Sequence, residues 1–176
     1  MYPFVRFAKE LLLNRWRPPL GITETHVSQH VCWPWDLDIW MELNNGRSLT
    51  LYDLGRIPLA GRAGLIAVLR RERWGLTMAG ASVRWRRRTR ILDRFEMRSR
   101  CVGWDHRFLY IEQSMWRRGE ALSAVLYHAA VTGSAGIVPP EEVLAALGAE
   151  TRSPPLPDYV RAWIAADATR PWPPGP

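Results

Sequence analysis

Trp33-Pro34-Trp35-Asp36-Leu37-Asp38-Ile39-Trp40-Met41-Glu42-Leu43-Asn44-Asn45-Gly46-Arg47 sets the reading of this chain. Two carboxylates two residues apart, Asp36 and Asp38, precede an Asn-Asn-Gly turn, and the turn opens a long apolar run of helical character. A helix N-terminus carries N–H groups without intrahelical acceptors and the positive end of the helix dipole, which suits a polarised carbonyl oxygen. A carboxylate just upstream could attack that carbonyl carbon or activate water against it.

Outward from this stretch, Asn45 is a candidate N-cap, and residues 46–59 carry Leu49, Leu51, Tyr52 and Leu54 as apolar stripe candidates. Pro58 is expected to kink or divide the helix. A second helical segment runs from Gly64 to about Arg73. Upstream, residues 22–33 are rich in β-branched types and read as a strand ended by Pro34. Further upstream, Phe4, Phe7, Ala8, Leu11 and Leu12 recur at helical spacing with Arg6, Lys9 and Glu10 between them. This is an amphipathic helix, read as docking on the domain or a partner subunit in preference to a membrane surface. Pro18-Pro19 breaks it.

Downstream, strands are expected at about 76–90, 94–103, 107–117 and 120–132, and their short connections imply antiparallel hairpins. A period-2 reading of Arg84-Trp85-Arg86-Arg87-Arg88-Thr89-Arg90 points Arg84, Arg86, Arg88 and Arg90 to one face. Pro139-Pro140-Glu141-Glu142 starts a helix ended by Gly148, and a last helix spans 157–168. The tail from Pro171 to Pro176 reads as frayed. One strand, one long helix and then a meander is an α+β pattern. The hotdog fold fits it: an antiparallel β-sheet wrapped around a long central α-helix, here with extra N- and C-terminal helices. The segments are 1–20 (helix and linker), 21–134 (hotdog domain) and 135–176 (helical extension and Pro-rich tail).

The length suits one domain with a full hydrophobic core. Ten Trp and 47% hydrophobic residues fit burial on both faces of a sheet, or an oligomer interface beside a core. The net charge of +7 is almost wholly arginine, since Lys9 is the only lysine. It describes a surface that attracts anionic ligands, but nucleic-acid binding would rest on charge alone. Cys32 and Cys101 are isolated and read as reduced, semi-buried thiols of a cytoplasmic protein. No stretch approaches the roughly 20 apolar residues of a membrane span, and no signal peptide is expected. There is no Gly-x-Ser-x-Gly elbow, Walker loop or dinucleotide fingerprint. His26 and His30 lie roughly 13 Å apart along a strand and make no zinc pair. No metal is expected.

Five motifs carry a resemblance: Trp33-Pro34-Trp35-Asp36-Leu37-Asp38, Asn44-Asn45-Gly46-Arg47, Asp53-Leu54-Gly55-Arg56, Asp93-Arg94-Phe95-Glu96 and Gly103-Trp104-Asp105. Together, across about Thr23 to Trp163, they resemble the thioesterase-like superfamily of hotdog fold, which includes the 4-hydroxybenzoyl-CoA thioesterases and the thioesterase-superfamily member 6 proteins. The resemblance implies hydrolysis of an acyl thioester, with coenzyme A entering as part of the substrate and no separate cofactor. It implies a homodimer or homotetramer with sites at subunit interfaces. Asp38 matches the family's catalytic aspartate. Two positions depart from the pattern: Glu42 stands where a histidine is usual, and Ser48 where a tyrosine is. Either substrate handling has shifted or catalysis is impaired, leaving a hotdog protein that binds acyl ligands or scaffolds a partner.

Each candidate has a simpler alternative. Asp38 is nucleophile or general base, or it caps loop N–H groups as Asp36 is expected to. Glu42 is a site residue whose crowding with two acids raises a pKa, or a solvated loop residue. Asn44, Asn45 and Gly46 position substrate, or the asparagines cap the helix. Asp53 contacts substrate, or pairs with Arg56 or Arg47. Arg84, Arg86, Arg88 and Arg90 hold the phosphates of coenzyme A, bind nucleic acid together with Trp85 and Trp104, or form a solvated face with ion pairs across strands to acids such as Glu96 or Glu112.

Overall fold

The computed structural model describes residues 2–174, and in it the chain runs α1 (Phe4–Asn14), β1 (His26–Val31), α2 (Asn45–Arg62), α3 (Leu65–Arg71), β2 (Gly75–Trp85), β3 (Arg94–Trp104), β4 (Leu109–Arg117), β5 (Glu120–Gly133), β6 (Gly136–Val138), α4 (Pro140–Leu147) and α5 (Asp158–Ala168). The reading of the tail as frayed falls partly on Gly175 and Pro176, which lie outside the described residues.

The strands form one antiparallel sheet in the order β1-β3-β4-β5-β2, and β6 adds to the end of β5. The sheet curls around α2, the hotdog arrangement. Leu51, Tyr52 and Leu54 of α2 are wholly buried against Phe95 and Met97 of β3 and Leu109 and Met115 of β4. Alternation along β3 and β4 sends these side chains inward. Closest approach comes at Gly55, where an added Cβ would lie 2.4 Å from Ser99 Oγ and 2.7 Å from Met97 Sδ. Only glycine lets the helix sit this near the sheet. A smaller core lies on the sheet's outer face, where Val160 of α5 packs with Tyr110 and Leu126. There His128 stacks between Phe108 and Trp163 at 4.7 and 4.8 Å.

Several expectations are corrected. Asn44, not Asn45, is the N-cap: it is extended, and its side chain accepts from the Arg47 N–H at 2.9 Å, while Asn45 is already helical. Pro58 does not divide α2, which continues to Arg62. It is buried in the core, and its carbonyl accepts from Asn14 Nδ2 at 2.8 Å, so packing carries the helix past the lost N–H. The hairpins β3–β4 and β4–β5 form, but β2 and β3 are not neighbours: β2 pairs with β5, and β3 with β1 and β4. In a curled sheet the two edges lie close enough across the helix for residues 86–93 to cross between them. The strand expected at 76–90 therefore ends at Trp85, and Arg86 and Arg87 both donate their N–H groups to the Leu122 carbonyl. The short strand β6 has no counterpart in the sequence reading. Both cysteines are free and buried.

The helix α1 docks on the domain, with an inverted orientation. Its inward residues are Arg6, Glu10 and Asn14, with Phe7 half-buried, while Phe4, Leu11 and Leu12 are exposed. The reason lies in β1, an edge strand with unpaired carbonyls. Arg17, Lys9 and Arg6 donate to the carbonyls of Val27, Gln29 and Val31, at 2.9, 3.2 and 3.3 Å. This covers the edge with side chains in place of a further strand.

Candidate functional site

Asp36 organises the loop between β1 and α2. It sits in a 3₁₀ turn, Pro34–Asp36, and is fully buried. Its Oδ1 accepts from Arg6 Nη2 and Arg47 Nε, both at 2.7 Å, and its Oδ2 from Arg6 Nη1 at 2.7 Å and the Trp33 N–H at 3.0 Å. Its carbonyl accepts from the Asn44 N–H at 2.9 Å. Burial alone would raise its pKa, but the hydrogen bonds from Arg6 and Arg47 hold it below the usual carboxylate range. One carboxylate thus ties α1, the loop and the start of α2 together.

Asp38 lies in the next turn, half-buried. Its Oδ1 accepts from the N–H groups of Trp40 at 2.8 Å and Glu42 at 3.4 Å, and its own N–H donates to the Glu42 carbonyl at 2.8 Å. The turn closes through Met41 in the left-handed region (φ 59°) and lifts Ile39, Trp40 and Met41 into solvent. Asp38 Oδ2 has no hydrogen bond among the described residues, so the carboxylate is anchored by one oxygen and open at the other.

The Glu42 side chain meets a cation. Its carboxylate pairs with Arg88 at 3.0 Å, while Asp36 is taken up by Arg6 and Arg47. Its backbone bridges to Arg90, and the Leu43 N–H donates to the Thr89 carbonyl at 2.8 Å. The crossover from β2 to β3 is therefore laid alongside the loop that carries Asp38.

At the start of α2, the N–H groups of exposed Asn45 and Gly46 have no intrahelical acceptor, since no helical carbonyl lies four residues before them, and the Asn44 side chain caps Arg47 instead. Buried Ser48, at the position where the resemblance expects tyrosine, donates Oγ–H to the Asn45 carbonyl at 2.6 Å and accepts from Trp85 Nε1 at 3.0 Å. A cleft of about 230 Å³ opens here, lined by Glu42, Asn45, Trp85, Arg86, Arg88 and Ser123. A second cleft of about 620 Å³ shares Arg87 and Arg88 with it and adds Arg90, Arg117 and Arg118, with Asp93 and Glu120 as its acids.

The structure thus brings Glu42, Asn45, Arg86 and Arg88 to one cleft and Arg90 to its neighbour. Asp38, Asn44 and Gly46 lie on the adjoining backbone. Asp53 and Arg84 line neither cleft. Asp53 pairs with Arg56, whose guanidinium stacks 4.7 Å from the Tyr127 ring centre, so the structural alternative is the one observed. Arg84 alone of the four arginines lies in β2, so the common face expected for them does not exist. Glu96 and Glu112 bind Arg98 and Arg100, whereas the exposed Arg88 pairs with Glu42, so ion pairing is observed with a different acid. Sequence reasoning missed Arg87, Arg117 and Arg118. Arg87 has the opposite parity in a strand, and the other two flank a turn that only sheet order brings beside the crossover. Among the described residues, no group of three or more His, Cys, Asp or Glu side chains could hold a metal ion.

Residues 32–164 match the family model of the thioesterase-like superfamily. The chain belongs to that superfamily. Within the thioesterase-like superfamily it is similar to Protein THEM6 of Xenopus laevis, 30% identical over 164 residues that cover 92% of this chain and 78% of the relative. It also matches the fungal thioesterase lcsJ of Purpureocillium lilacinum, 30% identical over 48% of this chain and 33% of the relative. Among solved structures, the probable thioesterase YbaW of Escherichia coli superposes with a TM-score of 0.65 at 14% identity, covering 69% of this chain and 96% of that one. The gentisyl-coenzyme A thioesterase BH1999 superposes with a TM-score of 0.59 at 13% identity, covering 69% and 98%. These structural matches concern the superfamily fold.

Proposed function

We propose that this protein hydrolyses an acyl thioester of coenzyme A at the loop that joins β1 to α2. Asp38 Oδ2 takes a proton from a water molecule as that water attacks the thioester carbonyl carbon. The N–H groups of Asn45 and Gly46 receive the developing oxyanion. Collapse expels the thiolate, which regains the proton, leaving a carboxylic acid and free coenzyme A. Arg87, Arg88, Arg90, Arg117 and Arg118 bind the phosphates of the nucleotide, for which guanidinium forks are suited. The observation that carries this reading is the half-anchored Asp38 carboxylate, seven residues before a helix start whose first N–H groups have no hydrogen-bond partner among the described residues.

The small cleft of a single chain fits a site completed by a second copy. The free edge of β2, without proline over Gly75–Trp85, and the exposed Trp35, Ile39, Trp40 and Met41 are the surfaces for that homodimer, or for a tetramer built from it. A second reading follows from Glu42, whose carboxylate is occupied by Arg88 where the family pattern has histidine. In that reading the protein binds acyl thioesters and turns them over weakly or not at all.

Purified protein assayed on a panel of acyl-CoA thioesters, with Asp38→Asn as control, separates the two. Turnover that falls about 100-fold or more in the variant supports the first reading. Equal turnover in variant and wild type removes Asp38 from the chemistry, and saturable binding without turnover supports the second.

A further inference from the structure

The inverted helix α1 leaves an apolar face without a partner in the domain. Phe4, Val5, Leu11, Leu12 and Trp16 are 68, 87, 40, 50 and 73% exposed. They recur on one side of the helix and its C-terminal turn, and Tyr2 and Trp16 mark the two ends. The polar side is spent on the domain: Arg6 on Asp36 and the Val31 carbonyl, Lys9 on the Gln29 carbonyl, Asn14 on the Pro58 carbonyl. These bonds fix the rotation of the helix, so its apolar side cannot turn inward. From Tyr2 to Arg17 the single acid is Glu10, which is buried and paired with Lys9 at 2.6 Å. Beyond that pair, the charges at the surface of this segment, on Arg15 and on Arg17, whose guanidinium also donates to the Val27 carbonyl, are positive.

We propose that α1 is an interfacial docking element, which lays Phe4, Val5, Leu11, Leu12 and Trp16 into the surface of an anionic lipid bilayer with Arg15 and Arg17 at the headgroups. Large apolar side chains on one face flanked by basic residues are what a bilayer interface takes up. Charge argues against a second copy as occupant. A two-fold contact through this face would bring together two copies of a segment whose uncompensated charges are all positive, whereas anionic headgroups complement them. The helix lies in the interface and does not cross it; no helix among the described residues is long and apolar enough to span a membrane.

The test is sedimentation of the full chain with phosphatidylcholine vesicles, with and without a minority of phosphatidylglycerol. The wild type is expected to bind the anionic vesicles and to keep part of that binding when salt is raised. The variant Phe4→Ser/Leu12→Ser changes only exposed side chains, so its melting should match the wild type while its vesicle partition falls about tenfold or more. Arg15→Glu should weaken binding to the anionic vesicles alone. Absence of binding to any vesicle overturns the proposal, as does undiminished binding by the folded double variant. A wild type that self-associates without lipid, and a double variant that does not, would assign the face to a second copy and overturn it as well.

Discussion

Replacing Asp36 with asparagine should unfold the connection between α1, the loop and α2. The Asp36 side chain is 0% exposed, and the side chains of Arg6 and Arg47 that bind it are each 13% exposed. The amide keeps the shape but leaves two buried cations facing a neutral group, with one acceptor oxygen for donors that had two. Removing one partner of a buried pair costs about 3–5 kcal/mol. For a chain of this size that lowers the midpoint by roughly 6–20 °C, at about 2–4 °C per kcal/mol. The effect depends on pH in a defined direction. The folded-state pKa of Asp36 is depressed, so its contribution is complete above the ordinary carboxylate pKa and is lost as pH falls through the depressed folded value. Urea titrations of wild type and variant at neutral pH and at stepwise lower pH read both effects. The gap between the two proteins should be widest at neutral pH and narrow below about pH 4. A neutral-pH gap under about 1 kcal/mol, the range of exposed ion pairs, would refute the view that Asp36 pins the loop.

Gly55→Ala should destabilise by about 1–3 kcal/mol, because its Cβ would press on Ser99 and Met97, both 0% exposed; thermal melts read this, and an unchanged midpoint would contradict the close approach. Burial pushes His26 down to about 4 and His30 to about 3, the latter despite the Glu10 carboxylate 3.9 Å away. Below about pH 6.5 the unfolded chain takes up protons that these folded histidines refuse, so stability should fall by about 1.4 kcal/mol per pH unit for each. His30→Gln should flatten that slope. Arg88→Ala and Arg117→Ala, whose side chains are 72 and 30% exposed, should raise KM for an acyl-CoA about tenfold with little change in kcat, and a thioester lacking the nucleotide should not respond. Equal KM effects on both substrates would place the phosphate subsite elsewhere.

The sequence by itself determined the order of the elements, β6 excepted, and the central helix. Asn-Asn-Gly before an apolar run marks the start of α2, alternation marks the three strands of the meander, and Gly148 ends α4 in the left-handed region at φ 71°. These signals are local, set by caps, turns and side-chain period, and a single chain displays them. The family motifs sit on the same local features, which is why the fold was legible together with the position of Asp38.

Tertiary structure decided what depends on partners far apart in the chain. That β2 joins β5 follows from closing a curled sheet around α2, and it changed Arg86, Arg88 and Arg90 from members of one strand face into lining of two clefts with Arg117 and Arg118. That Glu42 meets Arg88, and Asp36 meets Arg6, was invisible because the charges lie on different elements. The orientation of α1 was the furthest from reach. Its amphipathic pattern predicts two faces but not which one turns inward, and the open carbonyls of β1 drew the basic side chains and left the apolar side to the surroundings. A sequence carries the period of a hydrophobic pattern; the neighbouring element's unmet hydrogen bonds choose the direction.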